Sequence, residues 1–208
     1  MEHSSSEPHV TPEPSTELEP REGGGFWGET LRFSLIALLI VLPIRFFVAQ
    51  PFIVSGASME HTFSTGQYLI VDQVSYRFEA PARGDVIVFK YPRDPSKYFI
   101  KRVIGLPGDT VTISGGTVTI SNDEHPEGTV LDEPYLPEAQ TNGSKIQTTL
   151  ADGEYFVMGD NRNASSDSRS WGTLPEENII GRAILRLFPI SNFDLFPGEF
   201  NIGQLLDK

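Results

Sequence analysis

Apolar positions along the chain form one long block followed by many short ones. The block runs from Leu31 to Ala49 and has no polar residue between Leu35 and Leu42. That is close to the roughly 20 residues a helix needs to cross the hydrocarbon of a bilayer, so a single transmembrane anchor over residues 30–49 is expected. Arg32 and Arg45 stand near its two ends, where their stems can snorkel. Pro43 is tolerable there as a kink, and Pro51 helps stop the helix. Arg21 and Arg32 precede the block, which leans towards a cytoplasmic N-terminus and an extracytoplasmic domain. A cleaved secretory signal is the other reading, since Ser55-Gly56-Ala57 is a small-x-small site. The acidic leader ahead of the block makes a poor positively charged n-region for it.

After the block the pattern changes to short runs: Tyr68 to Val71, Val86 to Tyr91, Tyr98 to Ile104, Thr110 to Ile113, Thr117 to Ile120, Tyr155 to Met158 and Ile179 to Phe188. Gly, Pro, Asp and Asn separate them, which predicts a mainly β fold: an antiparallel, barrel-like domain over residues 50–200. Thr110 to Ile113 and Thr117 to Ile120 flank Ser114-Gly115-Gly116, a hairpin whose glycines supply positive φ. Residues 110–152 are expected to form a smaller β lobe or surface excursion, polar from Asn122 onward and carrying Pro126, Pro134 and Pro137. Residues 1–25 hold six acidic side chains against Arg21 alone and end in Gly23-Gly24-Gly25. Such a segment buries too little apolar surface to offset its ordering entropy, and a disordered acidic tail is predicted.

Charge and composition narrow the function classes. With 28 acidic and 16 basic residues and a net charge of −12, the chain's field repels nucleic acid. Cysteine is absent, which excludes a disulfide framework and a thiolate nucleophile or metal site. The histidines, His3, His9, His61 and His125, have no metal-binding spacing, so no metal is expected. About 150 residues remain once tail and anchor are set aside, enough for one core, and a monomer is expected.

Ser58 lies nine positions beyond Ala49 and therefore no more than roughly 30 Å from the membrane exit point. A serine hydroxyl is a poor nucleophile until a base takes its proton. No His/Asp pair is placed to do so. A free lysine, with a pKa of about 10.4, is unprotonated in only on the order of one molecule in two thousand at pH 7. Apolar surroundings would have to lower that value by several units. Lys101, between Phe99-Ile100 and Val103-Ile104, is embedded in an apolar strand pattern, whereas Lys90, Lys97, Lys145 and Lys208 adjoin polar, turn or terminal residues. The run Gly159-Asp160-Asn161-Arg162-Asn163-Ala164-Ser165-Ser166-Asp167-Ser168-Arg169 reads as a loop held by side-chain to backbone hydrogen bonds. Asp167 and Arg169 are candidates for an ion pair that pins it, and Ser165 could orient a lysine amine.

Taken in order, Ser58-Met59, the run from Arg83-Gly84-Asp85 to Tyr91-Pro92, the run from Lys101-Arg102 to Gly108-Asp109, and the loop from Gly159 to Arg169 resemble a bacterial type I signal peptidase. The resemblance implies a membrane-anchored serine endopeptidase that removes signal peptides from exported preproteins without a cofactor. Its partners would be those signal peptides and membrane lipid. It implies Ser58 as nucleophile, Lys101 as general base, Ser165 as the lysine-orienting serine, and Asp167 with Arg169 as a structural salt bridge. The backbone N–H of Ser58 would hold the oxyanion. Phe52, Val54, Leu69, Val88 and Ile100 match positions lining small pockets, which would select a small-x-small site. Two positions depart from the family. Gly56 stands where some relatives have a second, serine-based oxyanion donor, and His61 followed by Phe63 stands where proline and then Thr-Leu are common. The rival readings are a Ser/Lys peptidase dedicated to one substrate or to itself, and a catalytically inactive, membrane-tethered or secreted β module that binds exported chains.

Overall fold

The computed structural model describes residues 26–43, 49–137 and 145–200. The expected tail over residues 1–25 lies outside them, as do residues 44–48 of the expected anchor. The chain divides into two units, residues 1–40 and 41–208.

Helix α1 covers Phe26–Pro43. It starts ahead of Leu31 because Glu29 falls in its first turn, where a carboxylate complements the helix dipole. Its apolar side chains are exposed, Leu31 at 63% and Leu39 at 72%. Eighteen residues rise about 27 Å, and Glu29 and Arg32 interrupt the apolar run. Among the described residues no helix is long and apolar enough to cross a membrane. The expected span over 30–49 thus meets a helix displaced towards the N-terminus, with residues 44–48 left outside the description.

The second unit is antiparallel throughout its described pairings. Its strands are β1 (Ala49–Ile53), β2 (Tyr68–Asp72), β3 (Val86–Tyr91), β4 (Asp94–Gly105), β5 (Thr110–Ser114), β6 (Thr117–Ser121), β7 (Thr129–Val130), β8 (Ile146–Thr149), β9 (Glu154–Met158), β10 (Leu174–Pro175), β11 (Ile179–Phe188) and β12 (Asp194–Leu195). The larger sheet has the order β1-β2-β11-β3-β4-β9-β10, with β12 added to β11. Its end strands do not pair with each other, so the barrel-like expectation is corrected to an open sheet. Pro51 on β1 and Pro175 on β10 each remove a ladder donor from an edge, the position where a sheet tolerates proline.

At its centre, β3 buries Val86 through Phe89 without alternation, because both faces of the sheet are covered. One face packs Ile87, Phe89 and Val103 with Tyr155, Val157, Trp171 and Leu174. The other packs Val86 with Val54, Met59, Phe63 and Leu69. On β11, a Cβ on Gly181 would overlap the Asp72 carbonyl oxygen, so this close crossing with β2 requires glycine.

Strands β5 to β8 form a sheet of their own, ordered β7-β6-β5-β8. The repeated Thr-Val-Thr-Ile-Ser of β5 and β6 turns Val111, Ile113, Val118 and Ile120 inward onto Leu150, Phe156 and Met158. Its hydroxyls face the other way. Gly115 and Gly116 have φ of 58° and 85° in the connecting turn.

Candidate active site

Three segments of the chain meet at Ser58: the turn after β1, strand β4 and the loop after β9. The turn after β1 carries Ser58. Met59 and Phe63 follow it in the turn and are 1% and 0% exposed, so the turn is pinned from below while Ser58 stays partly accessible. Its backbone closes through Thr62 N–H and Phe63 N–H, both donating to Met59 O, at 3.1 and 2.7 Å. From the loop after β9, Asn161 N–H donates to Ser58 O at 3.0 Å. A Cβ on Gly159 would overlap that same oxygen and the Ser165 hydroxyl, so glycine is what lets the two backbones approach.

Lys101 comes from the middle of β4, directly opposite Ile87 of β3. It is 3% exposed. Its Nζ lies 2.7 Å from Ser58 Oγ and 2.7 Å from Ile100 O, and 5.3 Å from the centre of the Phe99 ring. Burial lowers its pKa to about 8, although Asp167 and Asp160 pull the other way. At pH 7 a value of about 8 leaves roughly a tenth of the amines uncharged, against a few in ten thousand for a free lysine. The site therefore holds a hydroxyl in hydrogen-bond contact with an amine that loses its charge near neutrality.

Asp167 caps the short helix α2 (Ser168–Trp171), accepting from Arg169 N–H. Its carboxylate also takes both ends of the Arg169 guanidinium at 2.8 Å each, and accepts from Gly159 N–H at 3.1 Å. Burial would raise the Asp167 pKa, but Arg169 and that amide hold it below the usual carboxylate range. Arg169 reaches on to Arg162 O at 2.8 Å, which ties the loop across its base. Ser165 Oγ is buried close to Asp167, whose carboxyl it helps to hold low, and no hydrogen bond joins it to Lys101. Lys101 Nζ donates to the Ile100 carbonyl.

Beneath the serine turn lies a set of residues whose roles the sequence reading missed. Arg102, fully buried, grips Asp160 with Nε at 2.9 Å and Nη2 at 2.6 Å. It also donates to Gly84 O and Gly198 O and lies 4.0 Å from the centre of the Tyr135 ring. Asp160 in turn accepts from Thr62 Oγ1 at 2.5 Å. One buried ion pair thus joins β4, the serine turn and the loop after β9. Arg162 does the same for the smaller sheet, bonding Gly159 O and the Glu133 carboxylate. An arginine next to Lys101 inside an apolar strand was the available signal, since buried charge demands a partner.

Phe52, Val54, Leu69, Val88 and Ile100 line one cleft of about 290 Å³ together with Ser58 and Lys101. Gly56 offers no side-chain donor there, and its N–H is taken by Thr65 Oγ1 at 3.1 Å. His61 is exposed and adopts φ of 81°. Proline is locked near −65°, so the residue common at this point of the family cannot occupy this turn. Among the described residues no cluster of three or more metal-ligating side chains occurs.

Residues 27–188 match the family described as signal peptidase, peptidase S26. The protein named probable signal peptidase I-1 of Synechocystis sp. is 43% identical over 81% of this chain and 86% of its own length. Signal peptidase I of Leptolyngbya laminosa is 40% identical over 75% of this chain and 77% of its own. A crystal structure of a signal peptidase I from Enterococcus faecalis V583 is 34% identical and covers 50% of this chain and 97% of its own, with a TM-score of 0.42.

Proposed function

The chain belongs to the signal peptidase family of S26 peptidases, and from that premise we propose that it cleaves signal peptides from exported preproteins through a Ser58/Lys101 dyad. The observation that carries this reading is the 2.7 Å contact between Ser58 Oγ and a Lys101 amine whose pKa burial has lowered to about 8. In its neutral form the amine gives one N–H to Ile100 O and turns its lone pair to the serine hydroxyl. Ser58 Oγ attacks the scissile carbonyl as its proton passes to Lys101 Nζ. The oxyanion is met by the Ser58 backbone N–H, a donor type worth about 10² to 10³ in rate. Lys101 then protonates the leaving amine, which departs and leaves an ester on Ser58. Water, losing its proton to the same lysine, hydrolyses that ester.

A narrow apolar cleft supports cleavage after a small-x-small site, because larger side chains at the first and third residues before the cut meet Ile100, Val88 and Leu69. The apolar block around α1 anchors the chain in the membrane by a single pass, with its N-terminus cytoplasmic and the β unit outside. Asp167 and Arg169 stiffen the loop beside the base, in which Ser165 stands next to Gly159.

The test is cleavage, in detergent, of a preprotein with Ala-x-Ala before the cut. Wild type is expected to process it, while Ser58→Ala and Lys101→Ala lose at least ~10³-fold in kcat/KM. Normal processing by either variant overturns the mechanism, and no cleavage by any of the three leaves only a binding module.

A further inference from the structure

Past its last strand, the chain comes back beneath the serine turn. Beyond β12 it reverses in a turn where Glu199 N–H donates to Phe196 O at 3.0 Å, and Phe196 N–H ties that turn to Ile184 O of β11 at 2.8 Å. Pro197 is buried, and Gly198, with φ of 74°, presents its carbonyl to Arg102.

Arg102 depends on this turn for part of its enclosure. A guanidinium carries five N–H donors, and at 0% exposure none of them reaches bulk water. Asp160 takes two, Gly84 O a third at 2.9 Å and Gly198 O a fourth at 2.5 Å. Aromatic rings cover the group as well. Arg102 Cζ lies 4.0 Å from the centre of the Tyr135 ring and 5.3 Å from that of Phe200, and the two ring centroids are 5.4 Å apart. Phe200 also packs on the core of the smaller sheet, so the turn is anchored at its far end.

The same turn bears directly on Thr62. A Cβ on Gly198 would come 2.6 Å from Thr62 Cγ2 and 3.3 Å from the Phe63 ring. That methyl cannot swing away freely, because rotation about χ1 moves methyl and hydroxyl together and the hydroxyl is held by Asp160 at 2.5 Å. Thr62 stands four residues after Ser58, and its N–H closes the serine turn on Met59 O. Pressure at Gly198 therefore reaches the nucleophile through one side chain.

Resting on the peptidase reading above, we propose that Gly198 and Phe200 are positioning residues for the reaction: the turn that carries them holds Arg102 and Thr62 in place, and through them the segment that presents Ser58.

The full-length enzyme would be assayed on a preprotein with Ala-x-Ala before the cut, with kcat and KM separated and kcat scaled to the folded fraction seen by circular dichroism. Gly198→Ala and Phe200→Ala are each expected to lower kcat roughly tenfold with KM within about twofold, because a displaced nucleophile slows the chemistry while the cleft still binds. Phe200→Tyr keeps a ring on the guanidinium and holds kcat within about twofold of wild type. Adding Thr62→Ser to Gly198→Ala deletes the methyl that the added Cβ strikes and keeps the hydroxyl on Asp160, so most of the lost kcat returns. A role confined to folding gives no such rescue per folded molecule. Should Phe200→Ala fail to fold, Gly198→Ala with and without Thr62→Ser decides alone. Wild-type kcat in Gly198→Ala, a loss that Thr62→Ser does not relieve, or a rise in KM at unchanged kcat overturns the assignment while leaving the peptidase intact. A wild type that does not cleave the preprotein brings down the peptidase reading itself.

Discussion

The amine of Lys101 is held where its charge is costly, and that cost has a sign that can be followed with pH. Its pKa in the folded chain is about 8, below the ordinary 10.5 that it regains on unfolding. Stability from this group is therefore fully present above about 10.5 and lost as pH falls through 8, at a cost of about 3 kcal/mol at neutrality. Lys101→Met removes the burden. It is expected to abolish cleavage yet raise stability at pH 7 by about 1–3 kcal/mol, measured as a shift in urea midpoint, with the gain vanishing above pH 10.5. The same titration predicts that kcat/KM of the wild type rises with pH through an apparent pKa near 8 and falls about tenfold per unit below it. A profile flat from pH 6 to 9 would contradict a lysine base. At His61 the expectation concerns backbone alone. With φ of 81°, His61→Gly is predicted to stabilise by up to ~1 kcal/mol, and His61→Pro to destabilise by 3 kcal/mol or more. Thermal unfolding distinguishes the two.

At the scale of elements, the site depends on three segments keeping their register, and one buried ion pair sets it. Arg102 and Asp160 are 0% and 2% exposed, and Asp160 also holds Thr62 in the serine turn. Asp160→Asn leaves a buried guanidinium without its counter-charge and is expected to cost about 3–5 kcal/mol. Thr62→Val severs only the link to the turn. It is predicted to lower kcat more than it raises KM, since Ser58 loses its placement while the cleft survives, and Thr62→Ser restores kcat. Equal loss from the serine variant would argue against that hydrogen bond. Of the cleft-lining strands, β4 was legible as an apolar run and β1 was not, since Pro51 read as the end of a helix. Their approach, with the Phe52 and Tyr98 ring centroids 5.5 Å apart, is set by the sheet as a whole.

For the molecule as a whole, the proposed anchoring falls to the apolar helix and the proposed chemistry to the β unit. The leucines and isoleucines of α1 are exposed all along its described length. Lipid is the occupant that such a face would take in a membrane-anchored peptidase. After expression of the full chain, alkaline carbonate extraction is expected to leave it in the membrane pellet, and removal to the supernatant would exclude the anchor. The sheet, by contrast, ends in proline-bearing strands that discourage edge pairing.

Local rules are strong where they act over a few residues. The alternation in Thr-Val-Thr-Ile-Ser dictated β5, β6 and their glycine turn, and an uninterrupted apolar run dictated buried β3, since period and turn chemistry need no distant partner. Lys101 stood out by the same means, as a lysine set in an apolar strand pattern, whereas Ser58 was singled out by the ordered set of motifs it belongs to. What decided the rest acts through space. A 43-residue separation closes to 2.7 Å only when β4 lies in the sheet, and Arg102 finds Asp160 only across strands. The open edges of the sheet likewise follow from packing. Burial, which turns an ordinary lysine into one that titrates near 8, is a property of the assembled walls around it and is written in no short stretch of the chain.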